Sequence, residues 1–159
     1  LEMMTGAVPQ LPRIHFFEGA EGVENVYRDH IDQGGGYEMV GYSNVGELQK
    51  ILSKKFFYNY VKAKEKLKIT SRGIFPDTYK DFNYSQSVYH HINPKYWPLI
   101  KHIGADLFSF KIEITMYGAN RVSIINFHEF AMVGIIIEDV AIHRTMRMIF
   151  DLVWNSLPS

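Results

Sequence analysis

The chain has 159 residues, of which 47% are apolar and 21% charged, with 17 Lys+Arg balancing 17 Asp+Glu. That is the composition of one globular domain with a sizeable core; it excludes a disordered tail, a collagen-like fibre and a uniformly basic nucleic-acid coat. There is no cysteine, so a disulfide scaffold, thiolate metal sites and Cys nucleophiles are excluded and a reducing, cytoplasmic setting is expected.

Leu1-Glu2-Met3-Met4 and the Pro9 and Pro12 that follow read as a linker or tag remnant over 1–12, ahead of one α/β domain over 13–159. Either the true N-terminus lies elsewhere or the first residues are foreign, and a domain cut from a longer chain is the expectation. Arg13 to Phe17, short and aromatic after Pro12, predicts a strand. Val23, Val26, Tyr27, His30 and Ile31 then keep one helical face until Gly34-Gly35-Gly36 stops it. Those glycines follow a helix instead of opening one, so a phosphate cradle is not expected. Tyr37–Tyr42 predicts a second strand, with Ser43 or Asn44 as the cap of a helix running to about Lys66. Leu67 to Phe75 predicts a third strand. This strand–helix–strand–helix–strand order is the signature of parallel crossovers.

Charge is unevenly spread. Residues 1–49 hold eight carboxylates against two arginines, while 50–73 hold seven lysines and Arg72 against Glu65. A solvated helix face explains the basic block, and an anion-binding or partner-binding face is the sharper alternative. Residues 77–98 read as an irregular excursion rich in Tyr and Asn. The aromatics of residues 75–98 (Phe75, Tyr79, Phe82, Tyr84, Tyr89, Tyr96, Trp97) either pack locally over a sheet edge or form an interface, and local packing is preferred. A short strand is expected at Leu107–Phe110. Ile112, Ile114 and Met116 alternate with Glu113, Thr115 and Tyr117 as a half-buried strand. Gly118-Ala119-Asn120 turns it into a hairpin partner over Val122–Phe127. Ala131–Ile137 is an all-apolar strand. Asp139 caps a last helix whose His143, Met146, Ile149, Phe150, Val153 and Trp154 face inward, with Arg144, Arg147 and Asp151 outward.

No spacing supports catalysis. The seven histidines include no pair four apart with a Glu between: His128-Glu129 is followed by Met132. The neighbours His90-His91 would point to opposite faces of a strand. No G-x-S-x-G elbow, G-x-G-x-x-G turn or Walker loop is present. No catalytic residue, metal or cofactor is therefore expected. In open α/β sheets ligands bind at the carboxyl ends of parallel strands, which singles out Glu18, Tyr42, Ser43, Asn44 and Asp77 as a cleft for a small polar molecule such as a sugar or nucleoside. The plainer alternative makes Glu18, Ser43 and Asn44 helix caps, Asp77 a turn residue and Tyr42 a packing residue.

Phe16-Phe17-Glu18-Gly19-x-Glu21-Gly22-Val23 resembles the opening of the C-terminal domain of TrmB-like transcriptional regulators. Similar runs are Glu113-Ile114-Thr115-Met116-Tyr117-Gly118-x-Asn120-Arg121-Val122-x-Ile124-Ile125, then Gly134-Ile135-Ile136-Ile137-Glu138-Asp139 and Phe150-Asp151-Leu152-Val153-Trp154. The resemblance spans roughly residues 13–156. It implies a phospholipase D-like three-layer α/β/α sandwich with a mixed sheet, parallel in its first half and an antiparallel meander in its second. It also implies a homodimeric, cytoplasmic regulator that senses a small effector and reaches DNA only through a separate N-terminal winged helix. Enzymes of that fold need His-x-Lys-x4-Asp; no His here has Lys two positions on, so the resemblance implies no enzyme. Two alternatives remain: a hydrolase or phosphodiesterase using His128-Glu129 or His90-His91, and a ligand-free dimerisation module.

Overall fold

The computed structural model describes residues 10–78, 87–109 and 111–159. In chain order they form β1 (Arg13–Glu18), α1 (Gly19–His30), β2 (Glu38–Tyr42), α2 (Val45–Leu48), α3 (Lys54–Lys66), β3 (Thr70–Pro76), a 3-10 turn (Pro94–Tyr96), β4 (Leu99–Ile103), β5 (Ile112–Tyr117), β6 (Arg121–Asn126), β7 (Val133–Glu138) and α4 (Val140–Ser156). The strands make one mixed sheet in the order β1-β7-β6-β5-β2-β3-β4. β2, β3 and β4 are parallel neighbours, whereas β2–β5, β5–β6, β6–β7 and β7–β1 pair antiparallel.

β1 therefore runs in the direction of β2 and β3 but does not sit beside them. Three strands of the meander lie between, so α1 is a long crossover and the first parallel pair begins only at β2. Residues 45–66 are two helices, not one. Ser53 caps α3 by accepting from the Phe56 N–H at 3.1 Å, and the turn before it keeps bonds such as Lys50 N–H to the Glu47 carbonyl. That near-helical turn preserves the apolar spacing and hides the break. The strand expected at 107–110 is absent at Leu107–Ser109, where Leu107 and Phe108 turn back onto the Gly104 carbonyl; Phe110 lies outside the described residues. The excursion instead ends in β4, whose Lys101 and His102 interrupt any apolar alternation.

The sheet is covered on both faces, which makes three layers. On one face α1 and α3 bury Val23, Val26, Tyr27, Phe57, Tyr60 and Val61 against Ile125 and Ile136. On the other, Phe150 of α4 packs on Val40, Ile74, Met116 and Val122. Arg147 and Asp151 do not face outward as their spacing suggests. Arg147 donates to the Glu38 carbonyl and carboxylate, and Asp151 accepts from Arg72 at 2.9 Å, so both tie α4 to β2 and β3. Arg121 holds the first face in the same way, donating to Asp29 of α1 at 2.9 Å and to Glu138 of β7 at 2.6 Å.

Gly134 explains how closely α1 lies on β7. A Cβ there would come within 2.5 Å of Val26 Cγ2, and Val26 is fully buried. Gly134→Val is expected to destabilise the fold by about 1–3 kcal/mol through overpacking. A lowered urea midpoint with an unchanged m-value would show it.

Candidate ligand-binding cavity

Strand periodicity sends alternate side chains to opposite faces. Met39, Gly41 and Ser43 of the β2 segment, Ser71, Gly73 and Phe75 of β3, and Glu113 and Thr115 of β5 all face α1 and α3. Together with Tyr27 and His30 of α1, and Phe57, Tyr60 and Lys64 of α3, they line a cavity of about 90 Å³. A water needs roughly 10–15 Å³ on this measure, so the cavity holds a small molecule or a few waters. Gly41 and Gly73 are register partners on adjacent strands, and side chains there have no room: a Cβ on Gly41 would come within 2.5 Å of the Ile114 carbonyl oxygen and one on Gly73 within 2.7 Å of the Phe75 ring.

The lining is mostly apolar surface with a few polar side chains set into it. Glu113 is 3% exposed. Its carboxylate accepts from the Tyr27 hydroxyl at 2.7 and 2.8 Å and from Ser43 Oγ at 2.5 Å, with Thr115 Oγ1 at 3.5 Å. Burial pushes its pKa up, against the pull of those hydroxyls and of Lys64. Lys64 is 6% exposed and donates to Ser71 Oγ. Its ammonium lies 5.5 Å from the Tyr60 ring centroid. Burial lowers its pKa to about 8, with Glu113 opposing. His30, 1% exposed, places Nδ1 3.1 Å from the Tyr60 hydroxyl and Nε2 2.8 Å from Ser123 Oγ. Burial, reinforced by Lys64, takes its pKa down to about 3, so the imidazole is neutral at physiological pH.

Of the five residues singled out from the sequence, Ser43 lines this cavity and the others lie elsewhere. Tyr42 is next to Ser43 and therefore points to the opposite face, where its ring meets Phe150 edge-on at 5.5 Å. Asn44 caps α2 by accepting from the Glu47 N–H. Asp77 is exposed beyond β3, its N–H bonded to the Ile103 carbonyl. Glu18 ends β1, four strand spacings or roughly 19 Å across the sheet from β2. The carboxyl ends of the three strands do not converge because β1 is not their neighbour.

Glu113 and Lys64 escaped the sequence reading, although both left a signal. Phe57, Tyr60, Val61 and Lys64 fall at i, i+3, i+4, i+7, so the lysine completes an inward stripe. Glu113 alternates with Ile112 and Ile114, and in a sheet with helices on both faces its own side is interior too. The basic block is thus not all solvated: Lys64 is buried and Arg72 is engaged with Glu38 and Asp151. The histidines serve separate purposes. His143 Nδ1 lies 2.9 Å from the Arg121 carbonyl and His15 Nε2 lies 2.6 Å from Glu138. His90 and His91 sit in a turn, not a strand, with ring centroids 4.8 Å apart. No group of three or more metal-ligating side chains occurs among the described residues. Tyr89 packs in the first core and 6.5 Å from Trp97, which is local packing; Tyr79, Phe82 and Tyr84 lie outside the described residues.

No protein-family model matches the chain, and no curated protein matches it in sequence. Solved structures do share its fold. NucT from Helicobacter pylori aligns with a TM-score of 0.65 at 9% identity, over 92% of this chain and 98% of NucT. TrmBL2, an archaeal chromatin protein with a novel mode of DNA binding, aligns with a TM-score of 0.59 at 8% identity. That match takes in 98% of this chain but 57% of TrmBL2, so this chain spans little more than half of it. Among the described residues no helix is long and apolar enough to cross a membrane.

Proposed function

We propose that this chain is the ligand-sensing and dimerisation domain of a TrmB-like transcriptional regulator, not an enzyme, and that it acts in the cytoplasm. Its cavity takes a small polar, sugar-like effector that modulates DNA binding by a separate helix-turn-helix domain. The observation that carries this reading is the cavity itself: a mostly apolar pocket into which Glu113, Lys64 and several hydroxyls are set. Small-molecule sites are mostly apolar, with a few placed polar groups that fix the ligand's orientation. The fold likeness to most of this chain but only part of a DNA-binding protein supports a division of labour between domains. A sensing domain alters DNA affinity only insofar as its effector prefers one of two conformations.

A thermal-shift screen of sugars, sugar phosphates, nucleotides and common metabolites tests the reading. A ligand at a hundredfold excess over Kd is expected to stabilise the native state by about 2.7 kcal/mol, and the shift should vanish in Ser43→Val. A flat screen would move the weight to the ligand-free dimerisation module.

Homodimerisation draws support from β1, whose outer edge has no partner strand among the described residues and whose Ile14 and Phe16 are 66% and 59% exposed. Unpaired edges are templates for a further strand. The double variant Ile14→Lys, Phe16→Lys should sediment as a monomer at concentrations where the parent is a dimer; a parent that is itself monomeric would end the dimer reading.

A further inference from the structure

We propose that Lys64 is the anion-holding group of the cavity, and that its ligand is a small hydroxylated acid, a carboxylate or a phosphate ester. The proposal rests on the effector-sensing reading and narrows the effector from a neutral polyol to an oxyanion-bearing one.

An ammonium carries three donors and no acceptor. Among the described residues Lys64 has one hydrogen-bond acceptor, Ser71 Oγ, and no ion pair, while its side chain is almost fully buried and borders the cavity. Buried charges are ordinarily paired, because desolvation is otherwise uncompensated. The nearest candidate partner, Glu113, attracts Lys64 electrostatically but spends its oxygens on Tyr27, Ser43 and Thr115. Two donors of Lys64 are therefore left for whatever fills the space. A carboxylate or phosphate oxygen is the group an ammonium binds most strongly, and more so where water is excluded. Ser71, which accepts from Lys64, keeps its own O–H to donate to a ligand hydroxyl, and Ser43 Oγ, which donates to Glu113, keeps its lone pairs to accept from one.

Titration calorimetry of the intact chain with lactate, glycerol 3-phosphate, inorganic phosphate and neutral glycerol, at matched ionic strength, tests this. At least one of the three anions is expected to bind at least tenfold more tightly than glycerol. The preference between lactate and the phosphates reports which oxyanion the site takes. Lys64→Met should weaken that binding tenfold or more, and Lys62→Met, which removes the same charge from the exposed side of α3, should leave it unchanged. Binding that survives Lys64→Met, or glycerol binding as tightly as the anions, overturns the proposal. Neutral sugars binding in the earlier screen while all three anions fail would overturn it and leave the sensor reading intact; failure of both panels would end both. If Lys64→Met does not fold, the ¹⁵Nζ resonance of Lys64 in the parent decides: it must move on saturation with the bound anion, and a resonance that stays put overturns the assignment.

Discussion

Acidifying the protein from pH 6.5 to pH 3 is expected to remove about 4 kcal/mol of stability through His30 alone. The imidazole sits at the centre of the α1 face, with one ring nitrogen against Tyr60 and the other against Ser123. Burial holds its pKa down to about 3 in the folded state, from an ordinary 6.5. Between those values the unfolded chain binds a proton that the folded chain refuses, so stability falls as pH falls through this window, at about 1.4 kcal/mol per pH unit. By pH 4 the loss is about 3 kcal/mol, a large part of the stability of an ordinary domain. Glu113 works in the opposite sense. Its raised pKa means that the folded state takes up a proton before the unfolded state does, so stability rises as pH falls from the raised pKa towards 4.5, which opposes the His30 slope in the upper part of the window. Urea midpoints at pH 7, 6, 5 and 4 separate the two. Relative to His30→Gln, whose amide still offers Tyr60 and Ser123 a partner, the parent should lose about 1.4 kcal/mol per pH unit below pH 6.5. Parallel slopes in the two proteins would mean that His30 is not the titrating group.

The same buried groups show how far the sequence could be read. Local rules place most elements: Asp139 caps α4 by accepting from the Ile142 N–H at 2.8 Å, and the strands of the meander fall near the apolar runs that predict them, whereas α1 already stops at His30 and the glycine run, with Gly34 and Gly36 at positive φ, only turns the chain towards β2. Strand neighbours are not a local property. The chain does not state that β7, β6 and β5 return between β1 and β2, and this insertion is what scatters Glu18 away from Ser43. β4 was hidden for a different reason: as an edge strand it buries little, so Leu99, Lys101 and His102 need not alternate. The cavity was legible only by combining two readings. A helical stripe that ends in Lys64 and a strand that carries Glu113 between isoleucines each look unremarkable alone. They become a site once helices cover both faces of the sheet, because then neither polar side chain has solvent to turn to.

Replacing Lys64 by Met is expected to raise stability at pH 7, by about 3 kcal/mol, while abolishing the anion response proposed above. The folded-state pKa of about 8, against 10.5 for a free lysine, measures what burying the charge costs after the attraction of Glu113 has been counted. That cost is present in full below pH 8. It is relieved as pH rises from 8 to 10.5, because over that range the unfolded chain holds the proton and the folded chain has released it. Parent stability should therefore climb on the alkaline side, where the Met variant stays flat, and the two curves should meet near pH 10.5. Methionine matches the length of the stem and removes the buried charge, leaving Ser71 Oγ, which is only half-buried, to find water. Guanidinium unfolding at pH 7, 8.5 and 10 measures both limbs. A stabilised protein that no longer responds to the anion is the signature of a group kept for binding at the expense of stability. A destabilised variant with no alkaline slope in the parent would instead make Lys64 a structural residue, held by Ser71 and the Tyr60 ring as part of the packing of α3.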